Sequence, residues 1–210
     1  MNNYYNWAPV LKGANFIMNI ANLRHAVVNF DHRLFVDFNS RWTCHFFNVV
    51  MPVLTDFQKT KVGLFLVIPA VLAIWVWLRG KRGVRTIIGL AIVVGLTDLV
   101  SFRVLKPMFH RLRPEYTAGL PVVLREGRHG RYGFPSNHAV NMFAAAGFLT
   151  QAEPVLAPVV AAAAVVIAYS RVYVGAHFPL DVSAGAIFGF FAGLLGGLAF
   201  KKIMDKRRRA

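Results

Sequence analysis

The chain has 210 residues, 56% of them hydrophobic and only 16% charged, against roughly a quarter charged in an ordinary soluble domain. Its mean hydropathy is +0.48, which excludes a disordered or collagen-like chain and points to a membrane protein. Against 9 acidic side chains stand 24 Lys and Arg, a net charge of +15. In a soluble chain that excess would suggest nucleic acid; in an oily one it points first to lipid headgroups, phosphates and topology. One domain is the natural count. The single cysteine, Cys44, excludes an intramolecular disulfide and a Cys-built metal site. The start, MNNYYNWAPV, lacks the basic and apolar regions of a cleavable signal, so internal helices are expected to direct the chain to the membrane.

In chain order, residues 1–61 mix apolar runs with Lys12, Asp31, Arg33, Asp37 and Arg41, which reads as one or two interfacial amphipathic helices. Five apolar segments follow: Val62 to Leu78, Thr86 to Val104, His138 to Thr150, Pro154 to Tyr169 and Val182 to Phe200. The expected fold is therefore all-α, an integral-membrane bundle of about five to six transmembrane helices. Residues 62–200 form its core, and 201–210 a basic cytoplasmic tail. In the last segment Gly185, Gly189, Gly193 and Gly197 recur every fourth residue, a stripe that lets a neighbouring helix approach closely.

Loop charge sets an orientation. Arg79, Lys81, Arg82 and Arg85 share one turn, and the tail carries Lys201, Lys202 and Lys206 to Arg209. Five alternating spans put both on one side, which the positive-inside rule makes cytoplasmic. The loop from Leu105 to Asn137 then lies outside, yet holds six cations of its own. These need another explanation.

Three clusters on that outer side supply it: Lys106-Pro-Met-Phe-His-Arg-Leu-Arg113-Pro114, then Pro135-Ser-Asn-His138, then Ser170-Arg171 followed by His177 and Asp181. Together they resemble the three-part signature of the type-2 phosphatidic acid phosphatase superfamily, with one departure: Asn137 stands where the family usually has glycine. Phosphoryl transfer needs cations on the equatorial oxygens, an in-line nucleophile and a proton for the leaving oxygen. Lys106 and Arg113 are seven apart, two turns if helical, and would face one point; Arg171 adds a third cation. Ser136 suits the N-cap after Pro135, directing the amides of Asn137 and His138 toward an anion.

Pro179 suits the first turn of the final helix, placing His177 at its mouth and Asp181 four residues on. By that spacing and by the resemblance, His177 is the nucleophile that forms a phosphohistidine, Asp181 orients it, and His138 protonates the leaving oxygen and later activates water. No metal or cofactor is expected. Arg111, Arg125, Arg128 and Arg131 are candidate headgroup contacts, although the Arg125 to Arg131 loop, with His129, reads more simply as solvated, and Asp98 as a partner of Arg103.

The resemblance implies a hydrolase acting on a membrane lipid phosphate: an isoprenoid diphosphate, a lipid A phosphate, phosphatidylglycerol phosphate or phosphatidic acid. The cationic loop leans toward a substrate with more than one phosphate. The implied partners are that substrate and membrane lipids, without nucleic acid. The implied place is a bacterial inner membrane, with the site facing the periplasm. A lipid phosphotransferase or a vanadate-dependent haloperoxidase could use the same site. A non-enzymatic basic anchor would account for the charge but not for the His177 to Asp181 spacing.

Overall fold

The computed structural model describes residues 8–209, with side chains from 21 to 207; Met1 to Trp7 and the side chains of Lys12, Arg208 and Arg209 lie outside the described residues. Helix α1 (Ala8–Val36) runs through a π turn (Asp37–Arg41) toward α2 (His45–Thr55). Helical chain then continues over Gly63–Phe109 (α3), and a long loop leads to α4 (Asn137–Ala152), α5 (Ala157–Tyr173) and α6 (Pro179–Arg209). Among the described residues there is no strand, only an isolated antiparallel bridge between Leu112 and Tyr132. The architecture is all-α, and two of its helical stretches, Gly63–Phe109 and Pro179–Arg207, are long and apolar enough to cross a membrane.

The first two apolar segments form one helical stretch that reverses at Gly80, whose φ of 54° and ψ of −137° suit glycine. Val71 and Trp75 from before the reversal line a cavity with Thr86 and Leu90 from after it, so the two halves lie side by side. The expected turn from Arg79 to Arg85 thus contracts to a single residue, because Lys81 and Arg82 are good helix formers and glycine alone turns the chain.

Helices α4 and α6 make the tightest contact in the bundle. A Cβ on Gly189 or Gly193 would collide with the carbonyl of Val140 or Ala144, and one on Gly185 would sit 2.8 Å from the Ser136 oxygen. On the facing helix Ala139, Ala144 and Ala146 are fully or almost fully buried. Small residues on both sides let backbones touch, which is how helices associate where no hydrophobic force drives them together. Outward, large apolar side chains are exposed, among them Trp77 at 81% and Phe65 at 75%, as expected of lipid-facing surface.

The two ends of the bundle differ chemically. At one, Arg79 and Arg82 meet Glu153 of the α4–α5 turn at 3.2 and 3.0 Å, and Arg82, Gln151 and Lys201 line one cavity. At the other, the 110–136 loop and the turn before α6 gather with the end of α1, the π turn and α2. The N-terminal helices are not simply amphipathic: Asp31, Asn39 and Thr55 are buried, exposed by 1% or less.

Gly189→Ala places a methyl against a carbonyl that cannot move and should cost about 1–3 kcal/mol in detergent unfolding. Gly95→Ala, at a site with nothing within 4 Å, should be neutral or stabilising by up to about 1 kcal/mol.

Candidate active site

The turn between α5 and α6 winds on the Arg171 carbonyl, which accepts from the amides of Ala176 and His177 at 3.1 Å each. His177 is left 1% exposed, and Asp181 in the first turn of α6 is fully buried. Arg113 donates through one nitrogen to the Ala176 carbonyl and meets Nε2 of His177, each at 2.9 Å. A guanidinium only donates, so Nε2 is the accepting nitrogen and the ring proton sits on Nδ1. That Nδ1 lies 3.6 Å from Asp181 Oδ2 and has no hydrogen-bond partner. Burial, then the charges of Arg113, Arg171 and Lys106, hold the imidazole well below its ordinary 6.5, so it is neutral at neutral pH.

Asp181 accepts at Oδ2 from the Phe178 amide (3.0 Å) and at Oδ1 from Arg111 (2.7 Å). Arg111 also pairs with Asp31 and sits 4.7 Å over the Phe178 ring. As a carboxylate-bridging clamp, it is not the free headgroup contact considered from sequence. Asp31 in turn accepts from the Leu180 amide at 2.8 Å, so α1 holds the start of α6.

Lys106 and Arg113 do not share a helix. Helix α3 ends at Phe109; His110 takes a left-handed φ of 47° and stands edge-on to Tyr132, and Arg113 is extended at φ −73°, ψ 162°. The reason was present in the sequence: a residue before proline, here Pro114, avoids helical backbone. Arg113 instead pairs its amide with the Arg131 carbonyl at 3.1 Å. Both cations still act on His177.

Arg171 is 2% exposed, bonded to Thr55 at 2.6 Å and to both oxygens of Glu126 at 2.8 and 3.1 Å. Its Nε, Nε of Arg113 and the hydroxyl of Ser136 are buried without partners. Buried donors of this kind call for a bound acceptor. Ser136 does occupy the N-cap of α4 but makes no side-chain cap. The Asn137 side chain is engaged elsewhere: its amide goes to Asp98 at 2.8 Å and its carbonyl oxygen accepts from Ser101 at 3.2 Å, which leaves the backbone N–H, the group expected to face an anion.

Asp98, expected to pair with Arg103, takes the amides of Asn137 and Asn141, since five residues along a helix point to different faces. His138 Nε2 lies 3.4 Å from Gln58 and 3.7 Å from Asp56, on α4 across from the segment after α2.

The cationic loop is not simply solvated. Arg125 donates to the carbonyls of Asn39 and Tyr173 and to Asn48, all at 2.8 Å, and lies 4.5 Å over the Tyr173 ring. His129 meets Glu126 at 2.8 Å. Arg128 and Arg131 alone of the four candidate headgroup arginines remain exposed. Sequence reasoning missed Asp31, Asn39, Thr55, Asp56 and Glu126 as groups that build this end; for Asp31, Asn39 and Asp56 the available signal was an acidic or amide side chain beside apolar runs, and Thr55 and Glu126 carried none.

The sequence profile of the PAP2 superfamily matches residues 82–207, which carry all three clusters. The chain belongs to the PAP2 superfamily. It is 35% identical to the lipid A 4'-phosphatase of Bacteroides thetaiotaomicron over 115 residues, 52% of this chain and 51% of that protein. It is 34% identical to the undecaprenyl-diphosphatase of Sulfolobus acidocaldarius over 110 residues, 49% and 53% of the two chains. This chain thus spans about half the length of these curated relatives. The crystal structure of a transmembrane PAP2 type phosphatidylglycerolphosphate phosphatase from Bacillus subtilis superposes with a TM-score of 0.60 at 25% identity, covering 95% of this chain and 97% of that one. Aquifex aeolicus LpxE shares the fold at 0.59 and 24%, covering 78% and 92%.

This PAP2 chain carries Lys106, Arg113 and Arg171 in the matched region but secures Arg171 partly from outside it, through Thr55. Burial pushes the Glu126 carboxyl up, yet the His129 hydrogen bond and the Arg171 charge outweigh it and hold it below its ordinary 4.5. A depressed folded-state value means the stabilisation is full above 4.5 and is lost as pH falls through the lowered value. Glu126→Gln should cost about 3–5 kcal/mol at neutral pH, read by denaturant unfolding in detergent. The gap to the unsubstituted protein should narrow as pH falls below 4.5.

Proposed function

We propose that this chain is a membrane lipid-phosphate phosphatase working through a phosphohistidine. The observation that carries the reading is the neutral, buried His177, with its accepting Nε2 against Arg113 and its Nδ1 toward Asp181. With phosphate bound, Arg113 turns from Nε2 to the phosphate oxygens beside Lys106 and Arg171, while Ser136 and the first amides of α4 supply uncharged donors. Nε2 attacks phosphorus, the bond to the leaving oxygen breaks, and His138 delivers the proton that oxygen needs. His138 then takes a proton from water as its oxygen attacks phosphorus, the P–N bond breaks, and inorganic phosphate leaves.

The substrate is a lipid phosphate of the kind its relatives are named for: a lipid A phosphate, an isoprenoid diphosphate or phosphatidylglycerol phosphate. Residues 62–200 form the transmembrane core, with five spans: the halves of α3 on either side of Gly80, then α4, α5 and α6. Residues 1–61 lie at the interface, where α2 exposes Phe46, Val49 and Val53. The Arg79 and Lys201 end faces the cytoplasm with the 201–210 tail, and the His177 end faces the periplasm of a bacterial inner membrane. Helix α4, 16 residues long, spans about 24 Å at about 1.5 Å per residue, so the site lies recessed at headgroup depth and a lipid enters with its tail in the bilayer.

His177→Ala should abolish phosphate release from a lipid phosphate while the detergent melting profile is retained; near-normal turnover would sink the nucleophile assignment. Cys44, exposed and near the His177 end, should react with a membrane-impermeant maleimide in intact spheroplasts. Labelling only after lysis would reverse the orientation.

A further inference from the structure

Beside His138 a cavity of about 390 Å³ has Gln58, Lys59, Asp98, Asn137 and Asn141 on its polar wall, and Met142 and Ile167 on its apolar one. In an in-line displacement the leaving oxygen departs opposite the nucleophile, toward the group that protonates it. His138 lines this cavity and His177 does not, so the cavity is where the leaving group goes.

A buried polar atom of its wall that lacks a partner is an acceptor. Asn141 gives its amide to Asp98 at 2.9 Å, and its own carbonyl oxygen is buried without a donor. Asp98 brings a carboxylate, and Asp56 lies 3.7 Å from His138. Lys59, the cation in its lining, pairs with Asp56 at 2.8 Å. The charges of Lys106, Arg113 and Arg171 act on His177, and in the phosphatase reading they belong to the phosphate being transferred. Arg125, the loop cation suited by charge to a second phosphate, is spent on the carbonyls of Asn39 and Tyr173.

We infer that this cavity reads hydroxyl groups, so that the substrate is a phosphate monoester of a hydroxyl-bearing lipid headgroup, a sugar or polyol, and not a lipid diphosphate. The inference rests on the phosphatase reading above and narrows its substrate class. A hydroxyl next to the leaving oxygen has one proton to donate, to the orphaned Asn141 oxygen or to Asp98, and lone pairs that accept from the Gln58 amide. A second phosphate carries only acceptors and negative charge, and meets carboxylate and carbonyl oxygens there.

The test uses the purified full chain in detergent and measures phosphate release from three lipids. Phosphatidylglycerol phosphate leaves phosphatidylglycerol, whose glycerol has a free hydroxyl next to the leaving oxygen and its diester phosphate at the far end; phosphatidic acid is a monoester without such a hydroxyl, and farnesyl diphosphate leaves a phosphate directly at the leaving oxygen. The kcat/KM for the first should exceed that for phosphatidic acid by about tenfold, the worth of one well-made hydrogen bond, and that for farnesyl diphosphate by more. Asn141→Leu should collapse the ratio of the first two several-fold, and so should Gln58→Ala, whose exposed side chain makes it the informative variant if the buried change prevents folding. Equal turnover of the three lipids, preference for the diphosphate, or a ratio unmoved by Gln58→Ala overturns this inference and leaves the phosphatase reading standing. Absence of phosphate release from all three overturns that reading, and this inference with it.

Discussion

Guanidinium groups buried at one end of an apolar bundle must each find partners, because an unpaired buried charge costs several kcal/mol. Arg171, 2% exposed, takes Glu126 and Thr55; Arg111 takes Asp31 and Asp181; Arg125 takes the carbonyls of Asn39 and Tyr173. Each pairing joins elements remote in sequence. Arg171 fastens the 110–136 loop over the α5–α6 turn, Arg111 ties α1 to the start of α6, and Arg125 locks the π turn against the end of α5. The N-terminal helices are held at the site by these polar demands as much as by apolar packing.

The same accounting shows which buried donors are paired and which are not. Arg113 and Arg171 each keep an unpartnered Nε, and Ser136 keeps a free buried hydroxyl. Such unsatisfied donors are costly in an empty site and useful when an anion arrives, which is the usual sense of a preorganised site. The glycine contact between α4 and α6 makes the arrangement rigid: it brings Ser136 close enough for its amide to bond the Asp181 carbonyl at 3.1 Å. The start of α4 and the carboxylate beside His177 thus belong to one unit of backbone.

Much of this was legible in the residues. The alternation of apolar segments foretold an all-α bundle, and the four-residue glycine period foretold which face of α6 would touch another helix. The spacing from Arg171 through His177 to Asp181 foretold a local turn that the structure adopts. Arg113 beside Pro114 was also legible, and the helical reading failed there because it weighed spacing above the proline's steric effect.

The excess of basic residues that first set this chain apart divides in a way no spacing rule could supply. By itself the sequence determined what chemistry was present and which short-range neighbours would meet, because helix period, capping and proline constraints act within a few residues. Only the tertiary structure decided which arginines are spent and which remain free, that Asn137 turns to Asp98, and that Asp31, 80 residues from Arg111, helps hold Asp181. Partner choice for a buried charge depends on proximity and burial, and both arise only when the chain is packed.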